Sequence, residues 1–221
     1  MNMFDFEASR HLTNNAPLAA RMRPTSLDDI IGQAHLTGKN SPLRRSIDAG
    51  RIPSFILWGP PGTGKTSLAN LITSTSNFHL EKISAVTSGV SELRKLIAES
   101  KSRLGMSGQR TALFIDEIHR FNKAQQDAIL PHVEDGTVTF IGATTENPSF
   151  EIISPLLSRC RVFTLNSLER KDIIHILTNA LNDSEKGLEK RNLSIEDGVL
   201  QDIAALSSGA ARWALNTLEL A

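Results

Sequence analysis

The sequence predicts an α/β fold: a parallel sheet flanked by helices, followed by a small all-helical unit. From Ser54 to Leu165, short apolar runs alternate with stretches of helical periodicity, which calls for parallel strands joined by right-handed crossovers. Among these runs Thr111-Ala-Leu-Phe-Ile115 is apolar without a break, the pattern of a strand covered on both faces. From Leu168 onward only helical spacing remains, so a domain boundary is expected between Asn166 and Glu169.

Taken in order, residues 1–16 read as a flexible tail, with Phe4 and Phe6 as the alternative core of a short partner-binding motif. The α/β domain is expected over 17–166. Pro24 stops any helix begun at Pro17, and Ser26-Leu-Asp-Asp29 opens a short new one by its capping chemistry. Pro42 to Ala49 is amphipathic through Leu43 and Ile47 and is closed by Gly50. Ser54-Phe-Ile-Leu-Trp58 is the first strand, and Leu80 to Ala85 the second. Gly89 to Leu104 sets Val90, Leu93, Ile97 and Leu104 on one helical face. Its other face carries Arg94, Lys95, Lys101 and Arg103, as solvated charge or as a surface for phosphates. A helix over Phe121–Leu130 and strands at Val138–Gly142 and Arg161–Leu165 complete the sheet. The unit 167–221 then holds one helix over Glu169–Leu181, one opening at Ser194–Gly198 and running through Leu206, and one from Gly209 through Leu218.

The chain has 221 residues, of which 40% are hydrophobic, enough for one sizeable core with a smaller appended unit. Formal net charge is zero, from 24 basic and 24 acidic residues, so any contact with DNA must come from local patches. The single cysteine, Cys160, excludes an intramolecular disulfide and fits a reducing cytosol. No run approaches the roughly 18 apolar residues a membrane-spanning helix needs, and the start of the chain lacks a secretory pattern. A cytoplasmic location without a membrane partner is expected.

The chemistry is concentrated at Gly59-Pro-Pro-Gly-Thr-Gly-Lys-Thr66, between the first strand and the helix containing Ser67-Leu-Ala-Asn-Leu-Ile72. Strand, glycine-rich loop and helix form the context of a P-loop, in which Gly59, Pro60, Pro61, Gly62, Thr63 and Gly64 curl the backbone so that successive N–H groups face one anion. The helix N-terminus adds partial positive charge. Lys65 can then reach the β- and γ-phosphates, and the Thr66 hydroxyl can sit on Mg²⁺. Leu113-Phe-Ile-Asp-Glu-Ile118 reads as the partner strand that delivers Asp116 to the same sheet edge as a Mg²⁺ ligand, with Glu117 beside it to polarise a water. Ile141-Gly-Ala-Thr-Thr-Glu-Asn-Pro148 ends a further strand with Thr144, Thr145 and Asn147, each able to hydrogen-bond water or a γ-phosphate, or simply to form a polar turn. In Ser158-Arg-Cys-Arg161 one arginine suits a surface pair and the other an arginine finger serving a neighbouring subunit. His119 lacks further ligands at metal-binding spacing and is expected to face solvent or cap a helix.

These strings, together with Leu18-Ala-Ala-Arg-Met-Arg-Pro24, Ile83-Ser-Ala-Val-Thr-Ser-Gly-Val90 and His119-Arg-Phe-Asn-Lys-Ala-Gln-Gln-Asp127, resemble the AAA+ ATPases, and within them the family of replication-associated recombination protein A and the Werner-helicase-interacting proteins. Clamp-loader subunits and the Holliday-junction motor are cousins. The resemblance runs from about Pro17 to the C-terminus and implies an AAA+ P-loop NTPase with a helical lid. It implies ATP and Mg²⁺ as cofactors, Thr145 as sensor 1 with Asn147 close enough to compete, Arg159 as the finger, and Arg212 in Gly209-Ala-Ala-Arg-Trp213 as sensor 2. Ile31 would line an adenine pocket. Two departures stand out: the family usually has Gly-Asp-Ala-Arg-Arg at the last string, and its members continue into a domain that builds a tetramer, so a C-terminal truncation is expected.

The resemblance further implies a DNA partner (single-stranded ends, junctions or forks), for which the basic residues Arg94, Lys95, Arg120 and Lys123 are the sequence's own candidates as phosphate contacts. It implies a ring-like oligomer, contact with single-stranded DNA-binding protein or clamp components, and nucleoid association. The rival readings are a clamp-loader-like assembly subunit and an ATP-binding module without turnover of its own.

Overall fold

The computed structural model describes residues 16–76, 78–85, 89–189, 193 and 195–221. The expected tail with Phe4 and Phe6, residues 86–88 of the string Ile83–Val90, and Ser194 lie outside them. The described chain forms two compact units, one of Ser26–Asn166 and one in which the segment ending at Thr25 joins Ser167–Ala221.

In the larger unit, a single 3₁₀ turn at Leu27–Asp29 follows a capping box between Ser26 and Asp29. In the segment that joins the smaller unit, the first helix, α1, spans Leu18–Arg21. Two short helices, α2 (Ala34–Thr37) and α3 (Pro42–Asp48), precede the sheet. Five strands then alternate with helices in the order β1 (Phe55–Trp58), α4 (Lys65–Thr75), β2 (His79–Ser84), α5 (Val90–Ser107), β3 (Thr111–Asp116), α6 (Lys123–Glu134), β4 (Val138–Thr144), α7 (Pro148–Glu151), α8 (Ser154–Leu157) and β5 (Arg161–Thr164). Every pairing is parallel, in the spatial order β2-β3-β4-β1-β5.

The alternation of side chains along each strand builds two cores, one on each face of the sheet. Phe55 and Leu57 of β1, Ala112 and Phe114 of β3, and Ile141 and Ala143 of β4 pack with Leu68, Ala69 and Ile72 of α4. Ile56, Leu113, Ile115 and Phe140 pack on the other face with Leu93 and Ile97 of α5 and Ile129 of α6. Burial on both sides explains the unbroken apolar run of β3.

Several element ends differ from expectation by a few residues, and those of α6 and β4 have local reasons. The helix expected from Phe121 starts at Lys123, because Asn122 and Gln125 form a reciprocal capping box at 2.9 Å each way. Such a cap is worth about 1 kcal/mol, and phenylalanine cannot supply it. The same helix continues past Leu130 to Glu134: Pro131 sits in its last turn and its carbonyl still accepts from Asp135 N–H at 3.0 Å. Strand β4 continues past Gly142 to Thr144, in register with Trp58 of β1. Gly142 is tolerated because the Phe140 ring and Ile118 fill the space a Cβ would take.

The smaller unit holds α9 (Arg170–Asn182), α10 (Val199–Leu206) and α11 (Ala211–Leu220). Leu18 of α1 is fully buried with Ile173, Leu177, Ile203, Ala214 and Leu218. Arg21 fastens the same segment, donating to the carbonyls of Lys186 at 2.6 Å and Gly187 at 3.2 Å and pairing with Glu219 at 3.2 Å. Pro17 to Thr25, expected with the α/β domain, therefore packs with the helical unit.

Candidate functional site

In a parallel sheet the strand C-termini share one edge; β3 and β4 end there in Asp116 and Thr144, and β1 runs there into a glycine-rich loop. Phe55-Ile-Leu-Trp58 passes into the loop Gly59–Gly64, and α4 begins at Lys65. The loop is shaped by its glycines. Gly62 and Gly64 lie at φ 77° and 99°, where other residues are strained, and a Cβ on Gly59 would press on the carbonyl of Leu165. Buried Thr63 closes the loop by donating to Pro60 O at 2.9 Å. Lys65 is 7% exposed, and its ammonium donates to the carbonyls of Gly59 at 2.7 Å and Pro60 at 2.8 Å. A nearly buried cation held over a curled loop at a helix N-terminus suits a polyphosphate.

Thr66 Oγ1 donates to Asp116 Oδ2 at 3.3 Å, which joins the first turn of α4 to the end of β3. A hydroxyl and a carboxylate in contact are hard oxygen donors, and they fit Mg²⁺, a metal usually held by one or two carboxylates with phosphates and water supplying the rest. Among the described residues there is no group of three or more His, Cys, Asp or Glu to form a protein-only cage. Glu117 follows at φ 52°, left-handed for a residue with a side chain, and its N–H donates to Asp116 Oδ1 at 3.2 Å. The turn reverses the chain at the strand end and leaves the Glu117 carboxylate half-exposed beside Asp116.

His119 departs from expectation. Its side chain is only 17% exposed and caps nothing; Nδ1 lies 3.3 Å from Glu117 Oε2 and 3.0 Å from Thr144 Oγ1. Thr144 is fully buried. Thr145 is half-buried at the start of the turn beyond β4. Asn147 caps α7, accepting from Ser149 N–H at 3.0 Å, so its carboxamide oxygen is engaged locally.

Ile31 is half-buried in the loop between the 3₁₀ turn and α2. What fixes that loop is Gln33, which sequence reasoning missed. Its fully buried carboxamide exchanges hydrogen bonds with the backbone of Asn166, donating at 2.8 Å and accepting at 3.0 Å. His35 Nε2 adds a contact to Thr164 O at 2.8 Å. Ile31 is thereby held near the C-terminal end of β5.

Arg159 lies elsewhere. It ends the α8 segment two residues before β5 begins, at the N-terminal edge of the sheet, whereas the P-loop leaves the C-terminal edge. Its guanidinium is 41% exposed, pairs with Glu134 Oε1 at 2.5 Å and donates to Pro155 O at 2.7 Å. Arg212 is exposed in the first turn of α11, within the helical unit. Of the expected basic face of α5, Arg103 is engaged by Glu81 at 3.0 Å and Thr111 at 2.9 Å, and Lys95 by Glu99 at 4.0 Å. Arg94, Arg120 and Lys123 are exposed. No described helix is long and apolar enough to cross a membrane.

Residues 55–168 match the AAA family, the ATPase family associated with various cellular activities. Replication-associated recombination protein A of Haemophilus influenzae is 53% identical over 220 residues, all of this chain and 49% of that protein. The Escherichia coli K12 protein of the same name is 56% identical over 204 residues, covering 92% of this chain and 45% of its own. ATPase WRNIP1 of Dictyostelium discoideum is 41% identical over the full chain, which spans 25% of it. The chain thus spans about half the length or less of these relatives. Among solved structures, the Thermotoga maritima RuvB Holliday junction branch migration motor aligns with 90% of this chain and 64% of its own, at a TM-score of 0.72 and 31% identity.

Proposed function

The chain belongs to the AAA ATPase family, and on that premise we propose that it binds ATP with Mg²⁺ at Gly59–Thr66 and hydrolyses it to drive work on DNA in replication, recombination and repair. The observation that carries the proposal is the contact of Thr66 with Asp116 beside the Glu117 carboxylate, because a curled glycine loop, a hydroxyl–carboxylate pair and a second carboxylate at one sheet edge support the reading of phosphate cradle, metal ligands and water-activating base.

Loop N–H groups and Lys65 bind and orient the phosphates, the ammonium exchanging its carbonyl partners for phosphate oxygens. Thr66 and Asp116 would hold Mg²⁺, which would supply neutralisation of the charge on the phosphates. Glu117 accepts a hydrogen bond from the attacking water and aligns it with the γ-phosphorus. Water then forms the new P–O bond as the bond to the ADP oxygen breaks, its proton passing to the Glu117 carboxylate and from there to solvent. Thr145, with Asn147 as the alternative, takes the sensor 1 role, Ile31 contacts adenine, and Arg212 reports on the γ-phosphate from the helical unit.

The DNA assignment draws support from relatives whose names state replication-associated recombination. Exposed Arg94, Arg120 and Lys123, with Lys95, supply phosphate contacts. The action belongs in the cytoplasm, at the nucleoid, and contact with single-stranded DNA-binding protein or clamp components would bring the ring to a fork. A second reading, a nucleotide-binding subunit that turns over only with a neighbour, is favoured by the placement of Arg159 at the sheet edge away from its own P-loop.

The test is ATPase activity titrated with single-stranded, blunt and forked DNA at several salt concentrations. Turnover should rise with DNA and fall by at least about 100-fold in Lys65→Ala and Glu117→Gln, the scale expected when positioning and base are removed. Stimulation should weaken steeply with salt. A salt-independent response would exclude a phosphate interface, and activity persisting in Glu117→Gln would remove that residue as the base.

A further inference from the structure

We propose that His119 is a positioning residue for Glu117, holding one carboxylate oxygen and tying it to the end of β4 through Thr144. The proposal rests on Glu117 being the base of the proposed ATPase.

The hydrogen-bond polarity is dictated by chemistry. Nδ1 of His119 lies within reach of two oxygens, Glu117 Oε2 at 3.3 Å and Thr144 Oγ1 at 3.0 Å. An ionised carboxylate oxygen only accepts, so a bare Nδ1 lone pair there would face another lone pair. Nδ1 therefore carries the hydrogen and donates. Thr144 Oγ1 then accepts, both from His119 and from Glu146 N–H at 3.0 Å, and sends its own hydrogen to Glu146 O at 3.3 Å. Every hydrogen of the network has one direction. Glu117 Oε1 is left to accept from a water, while Oε2 is held.

The imidazole has little freedom to do otherwise. It sits in the 3₁₀ turn Ile118–Arg120, between Ile118, fully buried, and Phe121, 4% exposed, both in the core on that face of the sheet. Glu117 O accepts from Arg120 N–H and Ile118 O from Phe121 N–H, each at 2.9 Å. Glu117 is held in a left-handed conformation that is strained for a residue with a side chain, and a surrounding turn pinned in this way can offset that strain. Thr144 is likewise immobile, fully buried in register with Trp58, and it is the last strand residue before Thr145–Asn147. The network thus links the base to the loop that carries the sensor 1 candidates, and a shift of that loop would reach the Glu117 carboxylate through the Thr144–His119 hydrogen bond and the 3.3 Å contact of the same Nδ1 with Oε2.

The experiment has two arms on the full chain. In steady-state ATPase assays, His119→Ala should lower kcat by about 10- to 100-fold, the usual effect of removing a group that orients a reacting one, with KM for ATP within about 3-fold. His119→Asn, whose Nδ2–H can stand in for Nδ1–H, should recover kcat to within about 5-fold of the parent. Unchanged kcat in His119→Ala, or equal loss in Ala and Asn with a matching fall in melting temperature, would overturn the positioning role. In the second arm, nitrogen–proton correlation spectra of the imidazoles, with the His119 signal identified by its loss in His119→Asn, should show hydrogen on Nδ1. A signal from the Nε2–H tautomer alone would overturn the proposal. That arm needs no turnover, so a failure of the ATPase reading, seen as no hydrolysis by the parent chain, is distinguishable from a failure here.

Discussion

Cys160 shows how far a single position's chemistry can depart from its sequence neighbourhood. It stands between two arginines, which would normally favour a thiolate. The side chain instead packs against the core on one face of the sheet, and burial pushes its pKa up to about 12. At neutral pH the thiolate fraction is then on the order of one in 10⁵, so the thiol is chemically quiet. Alkylation by iodoacetamide in native buffer should run orders of magnitude slower than in urea. Labelling at the rate of a free cysteine would mean that the segment from Pro155 to Arg161 opens in solution, and that Arg159 has no fixed anchor. A lone cysteine in the sequence spoke only to redox compartment, because burial depends on which helix covers it.

At the scale of elements, a pH dependence is built into the end of α9. Asp183 accepts N–H bonds from Lys186 at 2.7 Å and Glu185 at 2.8 Å, closing the turn whose carbonyls Arg21 grips. The bond from the Lys186 N–H is the largest cause holding its pKa below the ordinary carboxylate value, with Glu185 and Gly187 adding to it against partial burial. Because the folded pKa is depressed, the ion stabilises the helical unit above the unfolded pKa of about 3.9, and that stability is lost as pH falls through the folded value. Melting temperatures of the parent and Asp183→Asn should therefore differ at neutral pH and converge as pH falls through the depressed folded-state pKa. A constant difference would show that charge is not what matters there. This turn was invisible in the sequence, whereas the strands and the P-loop were legible. Thr111–Ile115 and Gly59–Thr66 are local patterns, readable from consecutive residues. His119 and Gln33 were not, since their partners Thr144 and Asn166 lie 25 and 133 residues away and meet them only through the strand order. The end of α6 lies past its expected stop although Pro131 gives up the bond an N–H there would make to the Asp127 carbonyl, because the last turn still closes through Asp135 N–H on Pro131 O.

At the scale of the molecule, the parallel sheet separates the P-loop from Arg159 by the length of its strands. Each four-residue strand, β1 and β5, spans roughly 13 Å at about 3.3 Å per residue, too far for a guanidinium at one edge to reach a γ-phosphate at the other within the same unit. Arg159 is instead paired with Glu134 while 41% of it faces solvent, and exposed pairs of this kind contribute only about 0–1 kcal/mol. So weak a hold is compatible with the proposed role of Arg159 as a finger for the triphosphate of a second copy. Arg159→Ala should keep ATP affinity but lose most turnover, as should Lys65→Ala for want of a phosphate ligand. Mixed in equal amounts, the two variants can form an interface with an intact P-loop from one chain and an intact arginine from the other. Turnover in the mixture should exceed that of either variant alone by at least about 10-fold, since an arginine finger supplied in trans is worth far more than that. The mixture should be assayed at concentrations where mass measurement with ATP bound shows association. Assembly without recovered turnover would mean that Arg159 does not complete a neighbour's site, and that the pair with Glu134 is simply part of the fold.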